Sequence, residues 1–242
     1  DGVHAIVGAY NEDDAGGINA GKAYIYNAFT GALLHTLDNP NAPGTSAFDR
    51  FGHSVAIDGN YAIVGAPYVG NKFGEAYIFD VTTGGLLYTL DNPNAFGTED
   101  NDYFGWSVAI SGTKAIVGAY RESDAGGTLS GKAYIYDITT FPTTPSTIAS
   151  ATYVLDNPNA YGTSYLDYFG YSVAISGDYA IVGAYEEDDA GGSQSGKAYI
   201  YDLTTFPTTP STITSATYVL DNPNAYNTSG NDQFGWSVAI SD

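Results

Sequence analysis

The sequence predicts an all-β fold: a four-bladed β-propeller of four-stranded antiparallel blades, its ring closed by pairing the C-terminal strand with the N-terminal strands. Three observations predict it. Four short phrases each recur four times along the 242 residues. Every phrase is rich in β-branched or aromatic residues and is bounded by Gly, Asn, Asp or Pro, the punctuation of short strands, and no stretch carries a helical period. The chain opens inside one such unit and finishes on the strand which that unit lacks, so a closed count leaves nothing over. The expected organisation is a single domain, 1–242, with blades at about 51–103, 104–168, 169–233, and 234–242 joined with 1–50. Four strands per repeat arranged radially make a propeller. The rival reading is a piece of a longer array, which loss of the last strand would leave largely intact.

The elements follow in order. Strand A is the Ser-Val-Ala-Ile of Phe51-Gly-His-Ser-Val-Ala-Ile and of its copies at Phe104, Phe169 and Phe234, spaced 53, 65 and 65 residues apart. Its Ser and Ala suit a crowded central axis. Strand B is the Ala-Ile-Val-Gly-Ala beginning at Ala5, Ala62, Ala115 and Ala180. It is apolar without alternation and should be covered on both faces. Strand C, Ala-Tyr-Ile-Tyr or Ala-Tyr-Ile-Phe, begins at Ala23, Ala76, Ala133 and Ala198. Strand D runs into Leu-Asp-Asn-Pro-Asn-Ala at Leu37, Leu90, Leu155 and Leu220. Joining the last strand to the first would remove two free sheet edges, which otherwise invite aggregation.

Composition narrows the function. Asp and Glu number 27 against 7 Lys and Arg, a formal charge of −20, which argues against nucleic acid because phosphate binding needs clustered cations. The absence of Cys removes disulfides, thiolate metal sites and Cys nucleophiles. No apolar run approaches the ~20 residues of a membrane helix, so no membrane insertion is expected. A hydrophobic content of 43 % is too high for an acidic disordered chain. The lack of Met, with Asp1 standing next to a strand, leads us to expect a processed or excised chain. His4, His35 and His53 hold unrelated repeat positions, and neither a Gly-x-Ser-x-Gly elbow nor a phosphate loop is present. An enzyme is not expected, since near-identical carboxylates in three units suit a scaffold or ions, whereas an active site is one asymmetric cluster.

Phe-Gly-x-Ser-Val-Ala followed by Val-Gly-Ala-Tyr or Val-Gly-Ala-Pro resembles the FG-GAP repeat, in all four units. The resemblance implies a propeller of the kind found in integrin α-chains and in many secreted bacterial proteins, with an extracellular binding or adhesion role that often involves calcium. The integrin-type Asp-x-Asp-x-Asp-Gly loop between strands A and B is missing. Here that connection is Ile57-Asp-Gly-Asn-Tyr, Ile110-Ser-Gly-Thr-Lys or Ile175-Ser-Gly-Asp-Tyr, two-residue turns too short to wrap an ion with six or more oxygens. The closer likeness is to the shorter bacterial variety.

The acidic residues fall in the B–C and D–A connections, which lie at one end of such a fold. The B–C loops carry Glu-x-Asp-Ala-Gly-Gly: Glu12 and Asp14, Glu122 and Asp124, Glu187 and Asp189. The D–A loops carry an Asp before Phe-Gly: Asp49, Asp102, Asp167 and Asp232. Two readings stay open. These ten residues hold up to three calcium ions (Ca2+), or they form a solvated acidic face whose Asp and Asn residues do turn chemistry. Lys22, Lys132 and Lys197 precede strand C and should pair with a nearby carboxylate, while Glu75 takes that place in one unit. Loop tyrosines, among them Tyr10, Tyr120, Tyr161, Tyr185 and Tyr226, can form an aromatic rim for glycan or protein. The repeated Thr-Thr-Phe-Pro-Thr-Thr-Pro-Ser-Thr-Ile at Thr139 and Thr204 reads as an exposed loop open to O-glycosylation, and Asn227-Thr-Ser is a sequon.

The expected function is a non-catalytic module of the cell surface or the secreted space. It binds protein or its own copies in an adhesive or structural assembly, with calcium as its one expected ion. A calcium-assisted glycan-binding lectin is the alternative, and a hydrolase or lyase ranks last.

Overall fold

The computed structural model describes residues 2–13, 15–41, 47–93, 101–123, 128–142, 145–159, 166–188, 193–223 and 231–241. Asp14, Asp124, Asp189, Tyr161, Tyr226 and the Asn227 sequon lie outside these residues.

Four sheets follow one another along the chain. The N-terminal half-repeat holds β1 (His4–Ala9), β2 (Lys22–Asn27) and β3 (Leu33–Asp38). The first full repeat holds β4 (Ser54–Asp58), β5 (Tyr61–Ala66), a single turn of helix α1 (Val69–Lys72), β6 (Glu75–Asp80) and β7 (Leu86–Asp91). The second holds β8 (Ser107–Ser111), β9 (Lys114–Ala119), β10 (Lys132–Asp137), β11 (Ser146–Ile148) and β12 (Tyr153–Asp156). The third holds β13 (Phe169–Ser176), β14 (Tyr179–Ala184), β15 (Lys197–Asp202), β16 (Ser211–Ile213) and β17 (Tyr218–Asp221). The A, B, C and D strands of each repeat pair antiparallel in chain order, as the phrases predict. The A–B connections are two-residue hairpins with a left-handed Gly: Gly59, Gly112 and Gly177.

The recurrent small residues are explained where one repeat meets the next. A Cβ on Gly118 of β9 would stand 2.0 Å from the Gly170 carbonyl oxygen of the following Phe-Gly, and Gly8, Gly65 and Gly183 meet Gly52, Gly105 and Gly235 in the same way. The strand-A hydroxyls reach the same carbonyls: Ser107 Oγ donates to Gly170 O at 2.8 Å and Ser172 Oγ to Gly235 O at 2.7 Å. The Phe rings are the wedges between sheets. Phe104 is fully buried, its ring edge-on to Tyr134 at 5.6 Å, while its N–H donates to Phe73 O of the preceding repeat. Strand B is covered on both faces, as its unbroken apolar run predicts: Ile116, Val117 and Ala119 are fully buried.

One expectation is corrected, and the strand pairing that ring closure needs is absent among the described residues. The Thr-Thr-Phe-Pro segment is more than an exposed loop. Its Ser-Thr-Ile becomes β11 or β16, which lies parallel on strand D of the preceding repeat, β11 on β7 and β16 on β12. Edge strands carry unpaired N–H and C=O groups, and these segments satisfy them. The pairing of residues 237–240 with β1 is not among the strand pairs: these residues form no strand, the sheet that holds β1 has three strands, and Val7 on it is half exposed.

Candidate functional site

The B–C and D–A loops meet. The N–H groups of Phe48, Arg50 and Phe51 donate to the carbonyls of Ile18, Asn19 and Ala20, and the same ladder joins Leu166, Tyr168 and Phe169 to Thr128, Leu129 and Ser130. Within each B–C loop the Glu is fixed by its backbone. Glu187 N–H donates to Ala184 O at 3.2 Å, and Glu187 O accepts from Gly196 N–H at 2.9 Å. Its side chain is thereby turned inward.

There it meets the first Tyr of strand C. The Tyr199 hydroxyl donates to Glu187 at 2.6 Å, the Tyr134 hydroxyl to Glu122 at 2.5 Å and the Tyr24 hydroxyl to Glu12 at 2.7 Å. Glu122 and Glu187 are buried and Glu12 is half-buried. Burial drives the Glu187 carboxyl up to about 8, against the lowering effect of Tyr199 and Lys197. The lysines pair as expected, and the partner is the strand-D Asp: Lys22 with Asp38 at 2.7 Å, Lys132 with Asp156, and Lys197 with Asp221 at 3.5 Å, Lys197 also lying 3.4 Å from Glu187. The first full repeat differs. Tyr77 there donates to Glu75, which faces Asp91 across the strands, and burial raises the Glu75 carboxyl.

The D–A carboxylates are held by the Asn side chains of Asp-Asn-Pro-Asn. Asn39 and Asn41 donate to Asp49 at 3.1 and 2.7 Å, Asn92 to Asp102 at 3.0 Å, Asn157 and Asn159 to Asp167 at 2.8 and 2.6 Å, and Asn222 to Asp232 at 2.9 Å. Asp49, Asp102 and Asp167 are buried while Asp232 is exposed. Burial raises Asp167 to about 6 although both Asn contacts lower it. The residues flanking each Asp are left-handed, Leu166 at φ 65° and Tyr168 at φ 56° among them, a conformation that non-Gly side chains adopt only under surrounding constraint. Here the Asn–Asp contacts and the loop–loop ladder supply it.

Along the same end runs a feature that the phrases hide, because its key position varies. The residue after Phe-Gly is His53, Trp106, Tyr171 or Trp236. With Tyr10, Tyr120 and Tyr185, which follow strand B, these rings form one continuous row. Tyr10 meets His53 at 5.6 Å, His53 meets Trp106 at 4.3 Å, Trp106 meets Tyr120 at 4.8 Å, Tyr120 meets Tyr171 at 5.3 Å, Tyr171 meets Tyr185 at 4.4 Å, and Tyr185 meets Trp236 at 4.7 Å. Inner members are half-buried or buried. The terminal ones are open, Tyr10 at 40 % and Trp236 at 49 % exposure. Burial lowers the His53 imidazole and raises the Tyr120 and Tyr185 hydroxyls, which favours the uncharged form of each. Arg50 lies over the Tyr68 ring at 4.2 Å and Arg121 over Tyr103 at 5.5 Å, which sets cations beside the row.

Ten carboxylates were singled out by sequence. The structure gives seven of them, Glu12, Glu122, Glu187, Asp49, Asp102, Asp167 and Asp232, donors from their own chain; Asp14, Asp124 and Asp189 lie outside the described residues. Among the described residues no group of three or more His, Asp and Glu is gathered as for a metal ion. The A–B hairpins also do not fit an integrin-type calcium loop. The ring row ends on two exposed members, Tyr10 and Trp236.

The FG-GAP repeat family matches residues 41–79, 95–136 and 160–201, half of the chain. Each match starts in a D–A loop and stops at the end of strand C, at Phe79, Tyr136 and Tyr201. No curated protein matches the chain.

Proposed function

The chain belongs to the FG-GAP repeat family, and from that premise we propose that this propeller-type interaction module is non-catalytic, works outside the cell and binds protein, its own copies included. FG-GAP repeats typically occur in extracellular proteins. The observation that carries the reading is the pair of open ring ends. Within a repeat, the residue after Phe-Gly stacks on the Tyr that follows strand B, as Trp106 does on Tyr120 and Tyr171 on Tyr185. Tyr10 follows β1, whose sheet lacks strand A, and Trp236 precedes a strand-A phrase, residues 237–240, that pairs with no strand B. Each half exposes what the other would cover. Their meeting within one chain closes a four-bladed ring, and their meeting between chains joins copies head to tail.

Sedimentation velocity over a range of concentrations tests this. Species that grow with concentration, and that Tyr10→Ala with Trp236→Ala returns to monomers, support head-to-tail binding. A monomer in which Trp236 fluorescence reports burial assigns the contact to ring closure, and a monomer with exposed Trp236 overturns both. Calcium enters as a proposal for the loop residues Asp14, Asp124 and Asp189, the neighbouring Glu side chains being turned to Tyr. A calcium-dependent rise in melting temperature that EDTA reverses supports it, and an unchanged curve overturns it. The open rings also suit a sugar face, and a glycan array tests the lectin alternative.

A further inference from the structure

The parallel clasp occurs twice with the same parts. In the first instance Phe141 packs edge-on against Tyr88 at 4.9 Å, the Tyr88 hydroxyl donates to Pro142 O at 3.4 Å, and Ser146–Ile148 run beside Tyr88–Leu90. In the second Phe206 packs against Tyr153 at 5.0 Å, the Tyr153 hydroxyl donates to Pro207 O at 2.8 Å, and Ser211–Ile213 run beside Tyr153–Leu155. The donated segments, residues 139–148 and 204–213, are identical, and so are the strands Ala151–Asp156 and Ala216–Asp221. The second of those strands is β17, and it is the outer edge of its sheet: Tyr218 is 60 % exposed and Val219 50 %. The cleft beside the clasp shows the same contrast. Around Phe141, Pro142, Ile148 and Ala151 it measures about 410 Å³ and is walled by Thr208 and Pro210 of the following repeat. Its counterpart around Phe206, Pro207, Ile213 and Ala216, about 360 Å³, has no such wall.

We propose that the β17 edge and the cleft beside it are a binding site for an extended segment of Phe-Pro-x-x-Pro-Ser-Thr-Ile chemistry, which adds as a parallel strand in the register of β16 on β12. The occupant is named by the chain's own usage: a receptor strand of identical sequence takes this ligand inside the molecule. Main-chain hydrogen bonds to the edge hold it, the Phe ring on Tyr218 and the Ile against the sheet select it, and the Pro residues keep it extended. The site shares no residue with the aromatic row and does not depend on head-to-tail assembly.

A synthetic peptide with the sequence of residues 139–152, titrated into isotope-labelled protein, tests the assignment. Saturable amide shifts centred on Tyr218–Leu220 are expected. Ser211 N–H donates to Thr152 O, so alternation turns the Val154 amide, and by equivalence that of Val219, to the clasp edge. Val219→Pro should therefore weaken binding at least about tenfold while keeping the β15 pairing. Tyr218→Ala, at an exposed side chain, should do the same with an unchanged circular dichroism spectrum. A peptide with Phe→Ala and Ile→Ser should not bind. Absence of shifts at millimolar peptide overturns the proposal, as does binding that ignores both variants. A dimer formed through β17 that excludes the peptide overturns it in favour of a second copy.

Discussion

Glu187 lies buried against Tyr199, whose hydroxyl donates to its two carboxylate oxygens at 2.6 and 2.7 Å, with Lys197 Nζ 3.4 Å away. Burial raises this carboxyl to about 8 and that of Asp167 to about 6, and the Asp167 charge is a further reason for the rise of Glu187. Both native values stand above the unfolded ones, so the folded chain binds more protons than the unfolded chain in between. The contribution is fully present below the unfolded values and is lost as pH rises through about 6 for Asp167 and about 8 for Glu187. Thermal melts should give the highest Tm near pH 5, with a fall of several degrees by pH 9. Glu187→Gln should flatten the upper part of that fall.

Tyr199→Phe removes the donor and leaves the carboxyl buried. A loss of about 1–3 kcal/mol in urea unfolding is expected. Tyr24→Phe, against the half-buried Glu12, should cost less in the same measurement, because water reaches that carboxylate.

Glu75 faces Asp91 in register, where the other repeats set Lys22, Lys132 and Lys197 opposite Asp38, Asp156 and Asp221. Glu75→Gln keeps an acceptor for Tyr77 and removes the like-charge pair. It should stabilise the chain by about 0.5–1 kcal/mol at pH 7 and by less at pH 4, where the raised Glu75 carboxyl holds more of its proton. Denaturant midpoints at the two pH values check both halves of the statement.

Gly118→Ala places a methyl 2.0 Å from the Gly170 carbonyl oxygen, between two backbones that cannot part without opening the stack. A loss of about 3 kcal/mol or more, or failure to fold, is expected by circular dichroism. Gly31→Ala meets no atom within 4 Å and carries only a left-handed φ of 71°, so it should cost about 1 kcal/mol.

The strand phrases, their order and the two-residue hairpins were legible because each is set by neighbours within a few residues: a run of β-branched and aromatic side chains, a Gly at a left-handed turn, Asn-Pro at a strand end. Three things were not. Glu122 and Glu187 read as loop ligands, because the hydroxyl that turns them inward sits in strand C and becomes a neighbour only when the hairpin forms. The aromatic row was half visible: Tyr10, Tyr120 and Tyr185 stood out, whereas His53, Trp106, Tyr171 and Trp236 occupy the one variable letter of a conserved-looking phrase, and only ring-to-ring distances join them. The Thr-Thr-Phe-Pro segments read as an exposed loop because their partner is another repeat's edge, which no local signal describes. Their identical spelling beside identical strands was the available clue.

The clasps give the array a direction. β11 seals β7 and β16 seals β12, so each seal is made by the repeat that comes later in the chain. Losing the third full repeat bares the edge of the second, and losing the second bares the first. Losing the N-terminal half-repeat removes no seal. Nearest-neighbour coupling in such a stack is therefore unequal in its two senses. Unravelling that starts at the C-terminal side propagates, because every step strips the cover from the next sheet, whereas unravelling from the N-terminal side stops at a sheet whose outer edge is still shut.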